Sequence, residues 1–167
     1  SIFKDHRGIR LCIIGLATFW GVGQVMLAAF PAFIKGQAGV TNTIVVQGVL
    51  ACAGVGIALG SMVSGRNSRD HIELGLLPFG AMGIALGLAL LPSVTTPATG
   101  ALLFLFIGFS GGMFIVPLNA LIQFQSGENA VGKTLAANNW VQNVTMFSFL
   151  VLTVCFSLLD LSSKNLL

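Results

Sequence analysis

Besides Gln47, seven carboxamide side chains stand inside long apolar stretches of this chain, where a lipid-facing position would hold leucine or valine. They are Gln24, Asn119, Gln123, Asn138, Asn139, Gln142 and Asn143. A carboxamide offers two N–H donors and a carbonyl acceptor, so it can bind a polar group without carrying charge. Left bare in hydrocarbon it costs several kcal/mol, so these side chains should face protein or a watery cavity. Asn119 and Gln123 are four apart and share one helix face. Asn138, Asn139, Gln142 and Asn143 fall within an arc of about 140° on the next helix, at about 100° per residue. Two uses suit such faces. They can line a path for a polar group, or they can hydrogen-bond helix to helix and hold a bundle together.

The elements that carry them follow from composition. The 167 residues are 55% hydrophobic and 8% charged, with a mean hydropathy of +0.94. Soluble domains carry about 25% charged residues, so this is an integral membrane chain. The apolar runs are long and lack period-two alternation, which selects helices over barrel strands. The expected fold class is an all-α polytopic transmembrane bundle. Five spans are expected, over about 11–34, 43–63, 73–91, 98–124 and 134–159. The first follows a basic flank and lacks a small-residue cleavage site, so it reads as a retained span.

Glycine and proline punctuate these spans. Gly56 and Gly60 have the small-xxx-small spacing of a close-packing face, and Gly80, Gly83 and Gly87 make another. The first span should end near Pro31, and Pro78 should kink the third. Pro117 lies in mid-span just before Asn119, where it removes a helical hydrogen bond and should bend the helix. Glu73 suits the positive N-terminus of the third span. Cys12, Cys52 and Cys155 lie in apolar runs with no CxxC, and read as buried small hydrophobes.

Several chemistries find no residues to perform them. No Asp, Glu, Lys, Arg or His lies deep in a span, so no proton relay is expected from this segment. GVGIALGS lacks the Lys of a phosphate-binding loop. His6 and His71 lie in polar flanks, and neither is followed by Asp at the HxxxxD spacing of glycerolipid acyltransferases; Leu11 and Leu76 stand there. No enzyme activity, metal or cofactor is expected, and the net charge of +3 gives no reason to expect nucleic acid.

Four stretches carry a family resemblance: GLATFWGVGQVMLAAFPAF, GIALGSMVSGRNSRDHIELGLLPFGAMG, GGMFIVPLNALIQF and LAANNWVQNV. They resemble the C-terminal half of a major facilitator superfamily transporter. More narrowly, they are similar to the lysophospholipid transporter group, which includes bacterial proteins fused to a 2-acylglycerophosphoethanolamine acyltransferase. The segment GSMVSGR, Gly60 to Arg66, occupies the place of the superfamily's loop motif, with Ser64 where an acidic residue usually stands. The resemblance implies a gating role at the cytoplasmic loop for Gly60, Gly65, Arg66 and Glu73. It implies spans seven to eleven of a twelve-helix fold, with the N-terminal half as a missing partner. It implies a lysophospholipid substrate, moved across the bacterial inner membrane by alternating access and re-acylated by a fused or associated acyltransferase. A facilitator for another small solute, with a closed polar cavity, and a membrane scaffold with fully paired carboxamides are the alternatives.

Orientation follows from the cations. Lys4, Arg7, Arg10, Arg66, Arg69 and Lys133 lie on one side of a five-span arrangement, and Lys35 and Lys164 on the other. The richer side is cytoplasmic by the positive-inside rule, and the N-terminus with it. In a cysteine-free background of the complete protein, Ser93→Cys should therefore react with an impermeant thiol reagent added outside, and Arg66→Cys should not. The reverse labelling pattern would invert the topology.

Overall fold

A computed structural model describes residues 7–67, 74–127 and 130–158. Among them the chain forms five helices long and apolar enough to cross a membrane. They are α1 (Arg7–Ala38), α2 (Thr43–Asn67), α3 (Leu76–Leu90), α4 (Pro97–Ser126) and α5 (Val131–Leu158). A short 3-10 turn, Leu91–Ser93, follows α3. Of the residues in the polar flanks, Lys4, His6, Arg69, His71, Glu73 and Lys164 lie outside the described residues.

The helices outrun their apolar cores, because backbone hydrogen bonding does not stop where hydrocarbon does. α1 passes through Pro31 and ends only at Ala38, four residues past the apolar run. Gly39 stops it, with φ at +62° and its N–H on the Lys35 carbonyl at 3.1 Å. That left-handed conformation is cheap for glycine alone. α2 extends to Asn67, so Gly60, Gly65 and Arg66 are helical residues and not part of a loop. Pro78 sits in the first turn of α3, where its missing N–H has no helical partner to lose, and no interior kink arises from it. α4 begins with a reciprocal cap. Thr96 Oγ1 accepts from the Thr99 N–H at 3.2 Å, Thr99 Oγ1 accepts from the Thr96 N–H at 3.2 Å, and Pro97 follows at the first helical position. α4 stays helical through Pro117, whose ring is fully buried.

α4 is the central helix. It packs most extensively on α2, then on α3, then on α1, while α5 leans mainly on α1. The α2–α4 contact is backbone on backbone. A methyl group at Gly56 or Gly60 would collide with the main chain at Leu105 and Phe109, and one at Gly108 with the carbonyl of Ala53. At Gly112 it would lie 2.5 Å from the Ile57 oxygen and 2.6 Å from the Ser61 nitrogen. Two pairs of glycines at spacing four thus face each other. α3 meets the other side of α4 through Gly80, Gly83 and Gly87, against Ser110, Phe114 and Ile107. The directions alternate: α2 and α4 run together, and α1 pairs antiparallel with α4 through Gly15 against Leu118 and Gly100 against Phe30.

Two apolar clusters fill the ends. One gathers Phe30, Phe33, Ile34, Val46, Val49, Leu50, Leu91 and Phe104. The other gathers Ile9, Cys12, Ile13, Leu16, Leu118 and Ile122. Of the three cysteines Cys12 is buried and Cys52 half-buried, but Cys155 is exposed, contrary to the expectation of a buried residue.

The glycine contacts set a two-sided expectation. Gly108→Val must push two backbones apart, and overpacking of this kind costs about 1–3 kcal/mol or more. Gly132→Ala, in a helical position with nothing within 4 Å, should stabilise by about 0.5–1 kcal/mol. Detergent melting of the complete protein should give the two variants opposite signs.

Candidate functional site: an apolar cavity among the helices

The main cavity has a volume of about 590 Å³ and touches all five helices. α1 contributes Gly15 to Leu27 on its inner face, α2 contributes Leu50, Ala53, Gly54 and Ile57, and α4 contributes Phe104, Ile107, Gly108 and Phe114. The walls are almost wholly hydrocarbon. Gln24 is the one carboxamide on them, and Thr18 the one hydroxyl. Thr18 Oγ1 already donates to the Ile14 carbonyl at 2.9 Å, which leaves the Gln24 carboxamide and the Trp20 indole N–H as the side-chain donors on the walls. Thr18 and Leu27 are both exposed, so the cavity opens at the surface of the chain.

α1 and α2 are sequence neighbours that scarcely touch along their length. The reason lies in α2. Its glycine edge, Gly56 and Gly60, turns to α4, and Gly54 turns the other way into the cavity, with nothing within 4 Å of where its Cβ would be.

The other six carboxamides do not line this cavity. Asn119 is half-buried and returns to its own helix, its Nδ2 donating to the Ile115 carbonyl at 3.1 Å. Gln123, one turn on, is exposed. On α5 the four divide into two pairs, because adjacent residues are turned by about 100°. Asn138 is only 2% exposed, and its Oδ1 accepts from Gln142 Nε2 at 2.8 Å. Asn139 and Asn143 face outwards, with Asn143 Nδ2 on the Asn139 carbonyl at 2.9 Å. α4 and α5 meet along little of their length, so the carboxamides of the two helices do not converge within the described residues. Trp140 beside them is 68% exposed.

Sequence reasoning missed the cavity itself. Its walls are glycine, alanine and branched apolar residues, the same types that pack helices. The usable signal was the shared face of Trp20 and Gln24 on α1.

At the motif segment, Ser64 is fully buried and its Oγ has no hydrogen-bond partner. A carboxylate at that point would be desolvated with nothing described to satisfy it. Among the described residues, serine is the smaller burden at this buried point. Arg66, two residues on, is exposed at the end of α2.

Comparison with known proteins gives the family. The profile of the Major Facilitator Superfamily matches residues 1–150. The chain belongs to that superfamily. Among curated relatives it is similar to the Lysophospholipid transporter LplT of Serratia proteamaculans (strain 568), with 30% identity over 151 residues, 89% of this chain and 37% of that protein. The protein of the same name from Klebsiella pneumoniae (strain 342) is 32% identical over 144 residues, 84% of this chain and 36% of its own length. That of Cronobacter sakazakii (strain ATCC BAA-894) is also 32% identical, with the same coverage. The chain thus spans little more than a third of the length of these relatives. No solved structure gives a significant match.

The buried pair on α5 makes a stability prediction. Gln142→Ala removes the donor that satisfies Asn138, and a stranded buried acceptor costs about 1–3 kcal/mol. Asn143→Ala removes a bond on an exposed face, worth about 0.6 kcal/mol at most typical sites. Melting of the complete protein should fall more for Gln142→Ala. The opposite order would mean that Asn138 is satisfied by a group other than Gln142.

Proposed function

We propose that this chain is part of the C-terminal half of a transporter that carries lysophospholipid across the bacterial inner membrane by alternating access, for re-acylation on the cytoplasmic side. The observation that carries the reading is the apolar cavity of about 590 Å³ with Gln24 as its one carboxamide. A small polar solute would meet few partners there. A single acyl chain suits the walls along their whole length.

The energetics favour passage over storage. A chain that moves from the bilayer into an apolar cavity exchanges one hydrocarbon medium for another, so its free energy changes little. A polar wall would resist it, and a deep affinity would hold it. The headgroup is the costly part, since polar and charged groups are strongly penalised in hydrocarbon. Its path must be supplied by carboxamides. Gln24 offers one within the cavity. The exposed Gln123, Asn139 and Asn143, with half-buried Asn119, offer others on the outer faces of α4 and α5. The buried Asn138 and Gln142 hold each other, and their part is to support the α1–α5 contact.

Alternating access then needs two bodies that rock about the substrate. The glycine-locked set of α2, α3 and α4 supplies the rigid part of this one. The groove between α1 and α2 supplies the entry from lipid.

Gly54→Leu tests the reading. A Cβ at Gly54 meets nothing within 4 Å and the position lines the cavity, so the amount of folded protein should change little. In proteoliposomes of the complete protein, uptake of long-chain lysophospholipid should fall several-fold, and uptake of a short-chain analogue should fall less. Equal uptake of both, at the wild-type rate, would remove the cavity from the pathway.

A further inference from the structure

A second, smaller hollow of about 190 Å³ lies between the end of α1 and the start of α2. Its polar groups are the Lys35 ammonium, the Thr41 and Thr43 hydroxyls and the Gln47 carboxamide, beside Pro31 and Val46. Lys35 is the only cation at this end of the bundle among the described residues; Arg7, Arg10, Arg66 and Lys133 all lie at the other. Its main-chain oxygen is taken by the Gly39 N–H, and its side chain is exposed.

The hollow and the main cavity share no lining residue, but they lie along the same face of α1 and the same face of α2. On α1, Trp20, Gln24 and Leu27 line the cavity and Pro31 and Lys35 line the hollow. At about 100° per residue these five fall within an arc of about 80°. On α2, Thr43 and Gln47 line the hollow and Leu50, Gly54 and Ile57 line the cavity, again within about 80°. The two helices therefore present facing stripes, cationic and hydroxylic at the loop end and hydrocarbon below it except at Gln24.

We propose that this groove is one binding site for a single-chain amphiphile, with the phosphate diester of its headgroup held by Lys35, Thr41, Thr43 and Gln47 and its acyl chain in the cavity. The proposal rests on the lipid reading above and adds to it the place and chemistry of headgroup capture. The dimensions agree. From Gly15 to Leu27 the lining rises about 18 Å at about 1.5 Å per residue, and Lys35 stands about 12 Å beyond Leu27, a span left to the glycerol and the first part of the chain. One acyl chain crosses half of a hydrocarbon core about 30 Å thick, or about 15 Å. The volume agrees too, if a methylene takes about the 30 Å³ of a water molecule, which gives a cavity of 590 Å³ room for a chain of ordinary length. The charge is complementary, since a phosphate diester is a monoanion and Lys35 supplies one positive charge with donors around it. Free inorganic phosphate shares the headgroup's chemistry but lacks the chain.

The test uses the complete protein in nanodiscs and three probes: palmitoyl lysophosphatidylethanolamine, monopalmitoylglycerol and inorganic phosphate. Lys35→Gln should weaken binding of the lysophospholipid about tenfold, the worth of one charge-assisted hydrogen bond. It should change binding of the phosphate-free glyceride less than about twofold, and Lys35→Arg should restore most of the loss. Inorganic phosphate should compete poorly. Equal effects of Lys35→Gln on both amphiphiles, or no effect on either, would overturn the proposal and leave the transport reading standing. Strong Lys35-dependent displacement by inorganic phosphate would overturn it in favour of a free-anion site. A wild-type protein that binds no lysophospholipid would remove the transport reading, and this site with it.

Discussion

The contact between the backbones of α2 and α4 is the constraint on which the rest of the bundle depends. Apolar helices gain no hydrophobic free energy by leaving lipid for one another, so close packing must hold them. Gly56 and Gly60 on one helix and Gly108 and Gly112 on the other let the main chains touch. With α4 fixed to α2 on one side and to α3 through Gly80, Gly83 and Gly87 on another, little of α2 remains for α1. The groove between α1 and α2 is thus a consequence of where α2 spends its glycines. The cavity is what is left when two packing edges are assigned to the same central helix.

α5 shows the same economy in reverse. Its buried residues are Thr134, Asn138 and Thr153, all polar. Each is satisfied along its own helix, through the Ala130 carbonyl, Gln142 and the Phe149 carbonyl. Its large apolar side chains, Phe147, Val151, Leu152 and Val154 among them, face away from the chain. A helix with self-satisfied polar groups inward needs no partner to pay its desolvation, so it can rest on α1 without a tight seam. The outward hydrocarbon suits lipid or further helices.

What could be read in the sequence was whatever depends on length and hydropathy. Five apolar runs gave five helices, and the small-residue spacing at Gly56 and Gly60 marked a real contact. The ends were not legible. Lys35 and Arg66 end apolar runs but not helices, because the backbone continues its hydrogen bonds beyond the hydrocarbon. Pro31 read as a span end and Pro78 as a kink, yet one is carried inside α1 and the other lies in a first turn whose N–H groups have no helical partner to lose. The division of Asn138 and Gln142 from Asn139 and Asn143 could not be made from a shared arc. An arc of about 140° is wide enough for one edge to be buried and the other exposed. Gly54 and Gly56 are alike in sequence, and only the position of α4 decides that one packs and the other opens a cavity.

The combination of a hydrocarbon cavity with a polar loop end has a physical consequence for any amphiphile that uses it. Its chain is indifferent to whether it lies in the groove or in the bilayer, because both are hydrocarbon. Its headgroup is not indifferent, since each polar contact replaces hydration and is worth about 0.5–1.5 kcal/mol, or about 1.5–3 kcal/mol with a charged partner. Discrimination between amphiphiles must then come from the few polar groups, and tolerance of chain length from the cavity. A groove whose polar groups lie mostly at one end, with Gln24 the exception within the cavity, sorts molecules by headgroup and accepts many chains. Selectivity would thus reside in the last turn of α1 and the first turn of α2, at a distance from the glycine seam that gives the bundle its form.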